Sequence, residues 1–468
     1  MLFPTLEFAL FFIIVYCFNW WCSNLRFRKW ILIGASYFFY GFWDIRFTIL
    51  LFISSVANWL IGRLLAYNKD QSDRKKILAI GLTINLGALG FFKYTTFLIG
   101  ILVSIFVKQE VNSQPILDII LPIGISFFTF QGISYIVDIY RNEVDGNHSL
   151  TDVILYISFF PQLVAGPIIK AQDFLPQLRD NPDSNKIQSS TAFLLIVGGL
   201  FKKLFIAQYL ATKLVQPMFD SPLSYGTTDA VVAIYAYAVQ IYCDFSAYSD
   251  IAIGVALLLG FHFPMNFKQP YQAKSLQDFW RRWHISLSSW LRDYLYKSLG
   301  GNRRGKSRTY VNLLITMLLG GLWHGAAWRF IAWGFLHGAY LALERFIKEK
   351  RGEITGGPFK KAINTIVVFN FVCFCWIFFA ASDINNAFLY LEALTQWDVG
   401  IRLVTPFSLS LVSLGVGMHF VPLNWYQILQ EKFDNVPLPL QGVVMGGALL
   451  VITAIGPRGI SPFIYFQF

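Results

Sequence analysis

Charge is scarce in this chain: only 14% of its 468 residues are Asp, Glu, Lys or Arg. Soluble domains carry about a quarter, so a water-facing surface of this size could not be clothed. Cysteine is scarcer still. The five, Cys17, Cys22, Cys243, Cys373 and Cys375, lie within or at the ends of apolar runs and show neither a disulfide framework nor metal-ligand spacing, so they read as small packing residues. Among six histidines no pair has the H-E-x-x-H spacing of a zinc site, and no metal is expected. G-x-S-x-G is also missing, which leaves a Ser-His-Asp hydrolase unsupported. There is no internal repeat, low-complexity linker or separate basic domain. The net charge of +11 sits in short connectors between apolar runs, which argues against nucleic acid as a partner.

What is abundant is apolar and aromatic surface, 55% and 18% of residues with a mean hydropathy of +0.51. That composition fits an all-α, polytopic membrane protein. A spanning helix needs roughly 20 mostly apolar residues, and the chain offers about ten to thirteen such stretches, several short or interrupted enough to be re-entrant. One integral membrane domain over 1–468 is the economical reading. The first run, Phe8 to Trp21, lacks a charged leader and a cleavage site, and is expected to be retained. Basic clusters at Arg26 to Lys29, Arg74 to Lys76, Arg281 to Arg308 and Arg345 to Lys361 mark expected cytoplasmic loops. Ile77 to Val107 is long enough for two passes or one very tilted one. Ile116 to Tyr140 carries Gln131 and Asp138, and Phe159 to Ile169 is broken by Pro161 and Pro167. Irregular backbone at membrane depth survives only when buried in protein or lining a wet cavity, so both are candidate cavity walls.

Chemistry concentrates between Leu276 and His337. Phe279, Trp280, Trp283, Leu287, Trp290, Leu291, Tyr294 and Leu295 recur at the spacing of one helix face, with Arg281, Arg282, Ser288 and Arg292 opposite. The pattern predicts one helix with His284 on the row of Trp280, Leu287 and Leu291. His324 sits in a nearly uncharged run, Tyr310 to Trp328, where Gly320, Gly321 and Gly325 let neighbouring backbones approach its ring. From Tyr310 it is about fourteen residues, or roughly 21 Å, into a hydrocarbon core of roughly 30 Å. That depth is near or beyond the midplane, while His284 stays nearer the basic loops. Earlier in the chain Gln240, Asp244 and Tyr248 share a helix face. Carboxylates inside a span are functional by default, and pairing with a basic residue is an equally open reading. Histidines in helical bundles often serve as interhelical hydrogen-bonding groups. That reading is kept for His262 and His337, whereas His148 and His419 look like loop or span-end residues.

The run Phe279-Trp280-Arg281-Arg282-Trp283-His284-Ile285-Ser286-Leu287-Ser288 through Gly321-Leu322-Trp323-His324-Gly325 resembles the membrane-bound O-acyltransferases, of the bacterial alginate O-acetyltransferase type. Leu121 to Gln131, Phe160 to Pro167 and Tyr242 to Asp250 match further family signatures, in order. The resemblance implies helices around a central cavity and acyl transfer with His324 as general base toward an acceptor hydroxyl. An imidazole of ordinary pKa about 6.5 suits that work. His284 would orient the donor or stabilise charge. The donor would be a cytoplasmic acyl thioester, with acetyl-coenzyme A as the expected co-substrate and no resident cofactor. Arg281, Arg282, Arg303, Arg304, Lys306 and Arg308 could hold its phosphates, or serve only the positive-inside topology. Trp283, Trp323, Asp244, Tyr248 and Gln131 are further donor-binding or cavity candidates.

By the same resemblance the acetyl group crosses the bacterial inner membrane to an extracytoplasmic polysaccharide acceptor, namely alginate, another exopolysaccharide or peptidoglycan. A periplasmic acetyltransferase is the expected partner, with membrane lipids around the bundle. A transporter flipping a lipid-linked sugar or an acylated carrier is the rival class, and a scaffold for a secretion complex the third. Tyr465, in the terminal Phe463-Ile464-Tyr465-Phe466-Gln467-Phe468, is either an interfacial anchor or a nucleophile that relays the acyl group from the cavity.

Overall fold

The computed structural model describes residues 1–107, 119–352, 357–455 and 463–464. Among the described residues every regular element is helical, as hydrocarbon demands of an open chain, because a helix satisfies its own peptide groups. Five helices are long and apolar enough to cross a membrane: Arg46–Tyr67, Gln71–Phe106, Ser189–Asp220, Thr227–Leu258 and Pro358–Ala380. A sixth span is possible if Pro406–Phe420 and Leu423–Asp434, bent by 90° to each other, are one; Leu6–Trp21 and Pro439–Ile452 are shorter apolar helices. The protein is a multi-pass, all-α membrane protein.

The described chain forms two compact units, Met1–Ile187 with Val255–Pro264, and Gln188–Gly254 with Met265–Phe468. In the first, α1 (Leu6–Trp21), α2 (Leu25–Gly41), α3 (Arg46–Tyr67), α4 (Gln71–Val107), α5 (Ile125–Tyr140) and α6 (Leu150–Ser158) succeed one another. Side chains of Thr5, Asn24 and Ser149 accept the first free N–H groups of α1, α2 and α6, which fixes where each begins. α4 runs 37 residues without a break, so the apolar stretch from Ile77 is one long helix and not two passes. No proline interrupts it. α5 is buried from Ile125 through Ile139, as expected of a segment packed inside protein. It starts at Gly124, whose φ of 77° and close approach to the Leu163 carbonyl both require glycine. The proline-broken run from Phe159 to Ile169 is buried throughout. Arg28 departs from its expected loop setting. It is buried, donating to Asn19 Oδ1 and the Leu259 carbonyl, each at 2.7 Å, because two acceptors there replace the water it gives up.

The second unit comprises α7 (Ser189–Asp220), α8 (Thr227–Leu258, whose last turn from Val255 is counted with the first unit), α9 (Leu276–Arg282), α10 (Ile285–Trp290), α11 (Lys306–His324), α12 (Trp328–Arg351), α13 (Pro358–Ala380), α14 (Ile384–Ala393), α15 (Pro406–Gly417), α16 (Leu423–Asp434) and α17 (Leu438–Ile455). α7 is wound as π-helix over Lys202–Ala207 and Ala211–Val215. The single helix expected across Phe279 to Leu295 is not formed. α9 stops at Arg282, and His284 takes a left-handed conformation, φ 43°. The cause is a tether from outside the segment: Ile285 N–H donates to the Asn266 carbonyl and Lys268 N–H to the Arg282 carbonyl, so backbone groups find partners across the chain in place of helical ones. α11 and α12 pack as a hairpin through glycines. A Cβ at Gly321 would strike the Phe330 carbonyl, and one at Gly334 the Met317 carbonyl.

Candidate active site

His324 ends α11 and is 5% exposed. The close α11–α12 contact brings α12's Trp333 to 5.1 Å from its ring, while Phe379 of α13 stands at 5.0 Å and Trp323 at 4.9 Å, all edge-on. These walls confine the imidazole and leave little room for water around it.

His284 lies outside the membrane-spanning helices, at the kink between α9 and α10. Its Nδ1 is 3.2 Å from Asn266 Oδ1, which also accepts from the Ser286 N–H and hydroxyl. The Asn266 amide in turn donates to Ser249 Oγ of α8 at 3.0 Å. An oxygen facing Nδ1 places the proton there and leaves Nε2 as the acceptor. Burial pushes this imidazole down to about 3, so it is neutral at physiological pH. Its ring meets Phe245 at 4.6 Å and Trp323 at 6.1 Å. Trp323 is thus the common neighbour of both histidines.

The second unit also holds a cavity of about 280 Å³, lined by Lys203, Gln208, Tyr237, Gln240, Asp244, Ala380 and Ile464 among others. Neither His324 nor His284 is among its lining residues. The Tyr237 hydroxyl and Gln240 Oε1 are buried with no hydrogen-bond partner among the described residues, which marks the cavity as a place for a polar guest or water. Asp244 is ion-paired at 2.5 Å with Lys203, and Lys202 is paired at 2.6 Å with Asp250. Both readings of the intramembrane carboxylate meet here: Asp244 is paired and also faces the cavity.

Other sequence candidates fall in varied places. Trp283 is core, stacked against Phe279 at 5.6 Å and tilted on Trp376 at 5.2 Å. Tyr248 packs on Phe463 at 4.8 Å. Arg282 is bound to Asp278 at 2.8 Å, while Arg281, Arg303, Arg304, Lys306 and Arg308 are exposed. Gln131 belongs to the first unit, where both amide atoms are buried without a partner among the described residues. Among the remaining histidines, His337 accepts from the Trp280 indole N–H at 3.3 Å. His419 is buried against Tyr242, with ring centroids 4.2 Å apart. Tyr465 lies outside the described residues. Sequence reasoning missed Asn266, Trp333, Phe379 and Lys203. Only Lys203 gave a signal, as a cation inside an apolar run.

The sequence profile of the membrane-bound O-acyltransferase family matches residues 140–389. The probable alginate O-acetylase of Pseudomonas aeruginosa is 37% identical over 99% of this chain and 88% of its own length. The peptidoglycan O-acetyltransferase of Helicobacter pylori is 35% identical over 80% and 75% respectively. A teichoic acid D-alanyltransferase of Streptococcus thermophilus is 28% identical over 62% of this chain and 75% of its own. With the family profile matching more than half of the chain and similarity to a relative running over nearly all of it, the chain belongs to the membrane-bound O-acyltransferase family and is an O-acyltransferase.

Proposed function

We propose that this acyltransferase takes an acetyl group from acetyl-coenzyme A on the cytoplasmic side of a bacterial inner membrane and passes it outward for O-acetylation of an extracytoplasmic polysaccharide. A periplasmic acetyltransferase would complete the transfer. His324 is the general base: it takes the proton of an acceptor hydroxyl as that oxygen attacks the thioester carbonyl, the C–S bond breaks, and the thiolate leaves with the proton. His284, neutral and fixed through Asn266, positions the donor. The exposed Arg281, Arg303, Arg304, Lys306 and Arg308 meet its phosphates. The acceptor hydroxyl in the first transfer is that of Tyr465, which forms a tyrosyl ester and then yields the acetyl group to the outer acceptor; the neighbouring Ile464 on the cavity wall supports this.

The observation that carries the reading is the burial of His324 at the far end of a 19-residue helix that starts in the basic loop. The acetyl donor is supported by relatives whose names specify O-acetylation of two different polysaccharides. The experiment is acetyl transfer by purified protein in liposomes. His324→Ala is expected to lose about 10²- to 10⁴-fold in rate, and normal transfer by a stably inserted variant would overturn the assignment.

A further inference from the structure

Phe463 and Ile464, which follow the last helix, are buried, 3% and 5% exposed. Phe463 is packed between two rings of α8, 5.6 Å from Phe245 and 4.8 Å from Tyr248. Ile464 N–H donates to Asp244 Oδ2 at 2.8 Å, and Ile464 forms part of the cavity wall. The other oxygen of that carboxylate, Oδ1, is held by Lys203 at 2.5 Å. A buried carboxylate with one oxygen on a cation and the other on a backbone N–H is fixed in two directions, and the N–H can be bound only by a chain running alongside it. The backbone partner carries no side-chain specificity of its own. Phe463, wedged on Phe245 and Tyr248, sets the register.

We infer that the Lys203–Asp244 pair is a docking latch for the chain end: Asp244 is a positioning residue that binds the backbone at Ile464, and Lys203 orients its carboxylate. The functional part of this inference rests on the relay reading of Tyr465, because a latch one residue upstream limits where the next residue can reach. Lys203 lies in a π-helical segment of α7, the kind of local distortion that recurs at functional sites. The distortion serves two adjacent cations, since Lys202 is engaged separately, with Asp250 at 2.6 Å and Ser246 Oγ at 2.8 Å. Among the described residues that second pair makes no hydrogen bond or ion pair to Phe463 or Ile464, and so provides an internal control of similar chemistry.

The latch is tested on the full-length protein in detergent by trimming with carboxypeptidase Y, followed by intact-mass measurement, with acetyl transfer measured on the same samples. Wild-type protein should resist trimming past Ile464. Asp244→Ala and Asp244→Leu, which remove the acceptor, should be trimmed upstream of Phe463 at least about tenfold faster, the change expected when a charge-assisted hydrogen bond is lost. Asp244→Asn keeps an acceptor oxygen and should restore most of the protection; Asp250→Asn, which breaks the neighbouring ion pair, should be trimmed like wild type. In the activity arm, Asp244→Ala should lower kcat at least about tenfold with the KM for acetyl-coenzyme A unchanged. Trimming of Asp244→Ala at the wild-type rate would overturn the latch, as would equal exposure of the chain end in Asp250→Asn. If Asp244→Ala exposes the chain end while kcat is kept, the latch stands and the relay through Tyr465 falls.

Discussion

At the residue scale the two histidines divide by environment. His324 is ringed by aromatic edges on three helices, whereas His284 is bound through Nδ1 to Asn266. Burial holds the folded-state value of His284 at about 3, below the roughly 6.5 of an unfolded chain. The sign follows: stability from this group is intact above about pH 6.5 and is lost as pH falls toward 3, because the unfolded chain takes a proton that the native protein refuses. At one unit per about 1.4 kcal/mol, acidification from pH 7 to pH 5 should remove about 2 kcal/mol. His284→Gln should flatten that slope, read as apparent unfolding midpoints at the two pH values; an unchanged slope would show that His284 does not hold its neutral form. Tyr465→Phe isolates a single hydroxyl. Loss of acetyl transfer is expected, and a wild-type rate would leave Tyr465 as an anchor.

At the element scale, legibility followed locality. α5 and the proline-broken run near Pro161 read correctly as interior segments, because proline and glycine punctuation acts on the residues beside it. The end of α9 did not. Apolar residues from Phe279 to Leu295 keep helical spacing on both sides of the kink, and what stops the helix is Asn266, supplied by a preceding segment. Likewise Lys202 and Lys203 stand inside an apolar run, yet their pairing, Lys202 with Asp250 and Lys203 with Asp244, is made across two helices, with both lysines in a π-helical stretch of α7. Asn266→Ala should therefore free the His284 ring and lower acetyl transfer more than it lowers stability, measured as kcat against unfolding midpoint. In the hairpin, Gly320 and Gly321 are adjacent yet unequal. A Cβ at Gly320 meets only Leu291 at 3.4 Å, while one at Gly321 drives into the Phe330 backbone. Gly321→Ala should cost about 1–3 kcal/mol and disturb the His324 pocket; Gly320→Ala should be nearly neutral in both unfolding and acetyl transfer.

At the scale of the whole molecule, composition alone indicated an all-α membrane protein, and the family motifs indicated acyl transfer. How far each span faces protein and how far lipid was not legible; α8 is almost wholly buried in protein. Two helices of the second unit support the proposed direction of transfer. α11 starts at Lys306 and ends at His324, and α13 starts at Pro358 beside Lys360 and Lys361 and ends at Phe379-Ala380. Each puts its basic end roughly 27–32 Å from the site, at 1.5 Å per residue, and by the positive-inside rule those ends are expected on the cytoplasmic side. On the proposed reading the donor would arrive along the basic side, and the acceptor would meet it from the other. The most direct measurement reconstitutes wild-type and His324→Ala protein in liposomes with acetyl-coenzyme A, radiolabelled in the acetyl group, on the side of the basic loops, and follows covalent label on protein and on polysaccharide acceptor. The account predicts transfer by the wild type and none above background by His324→Ala. Transfer by His324→Ala at the wild-type rate, or passage of an intact carrier without covalent transfer, would contradict it.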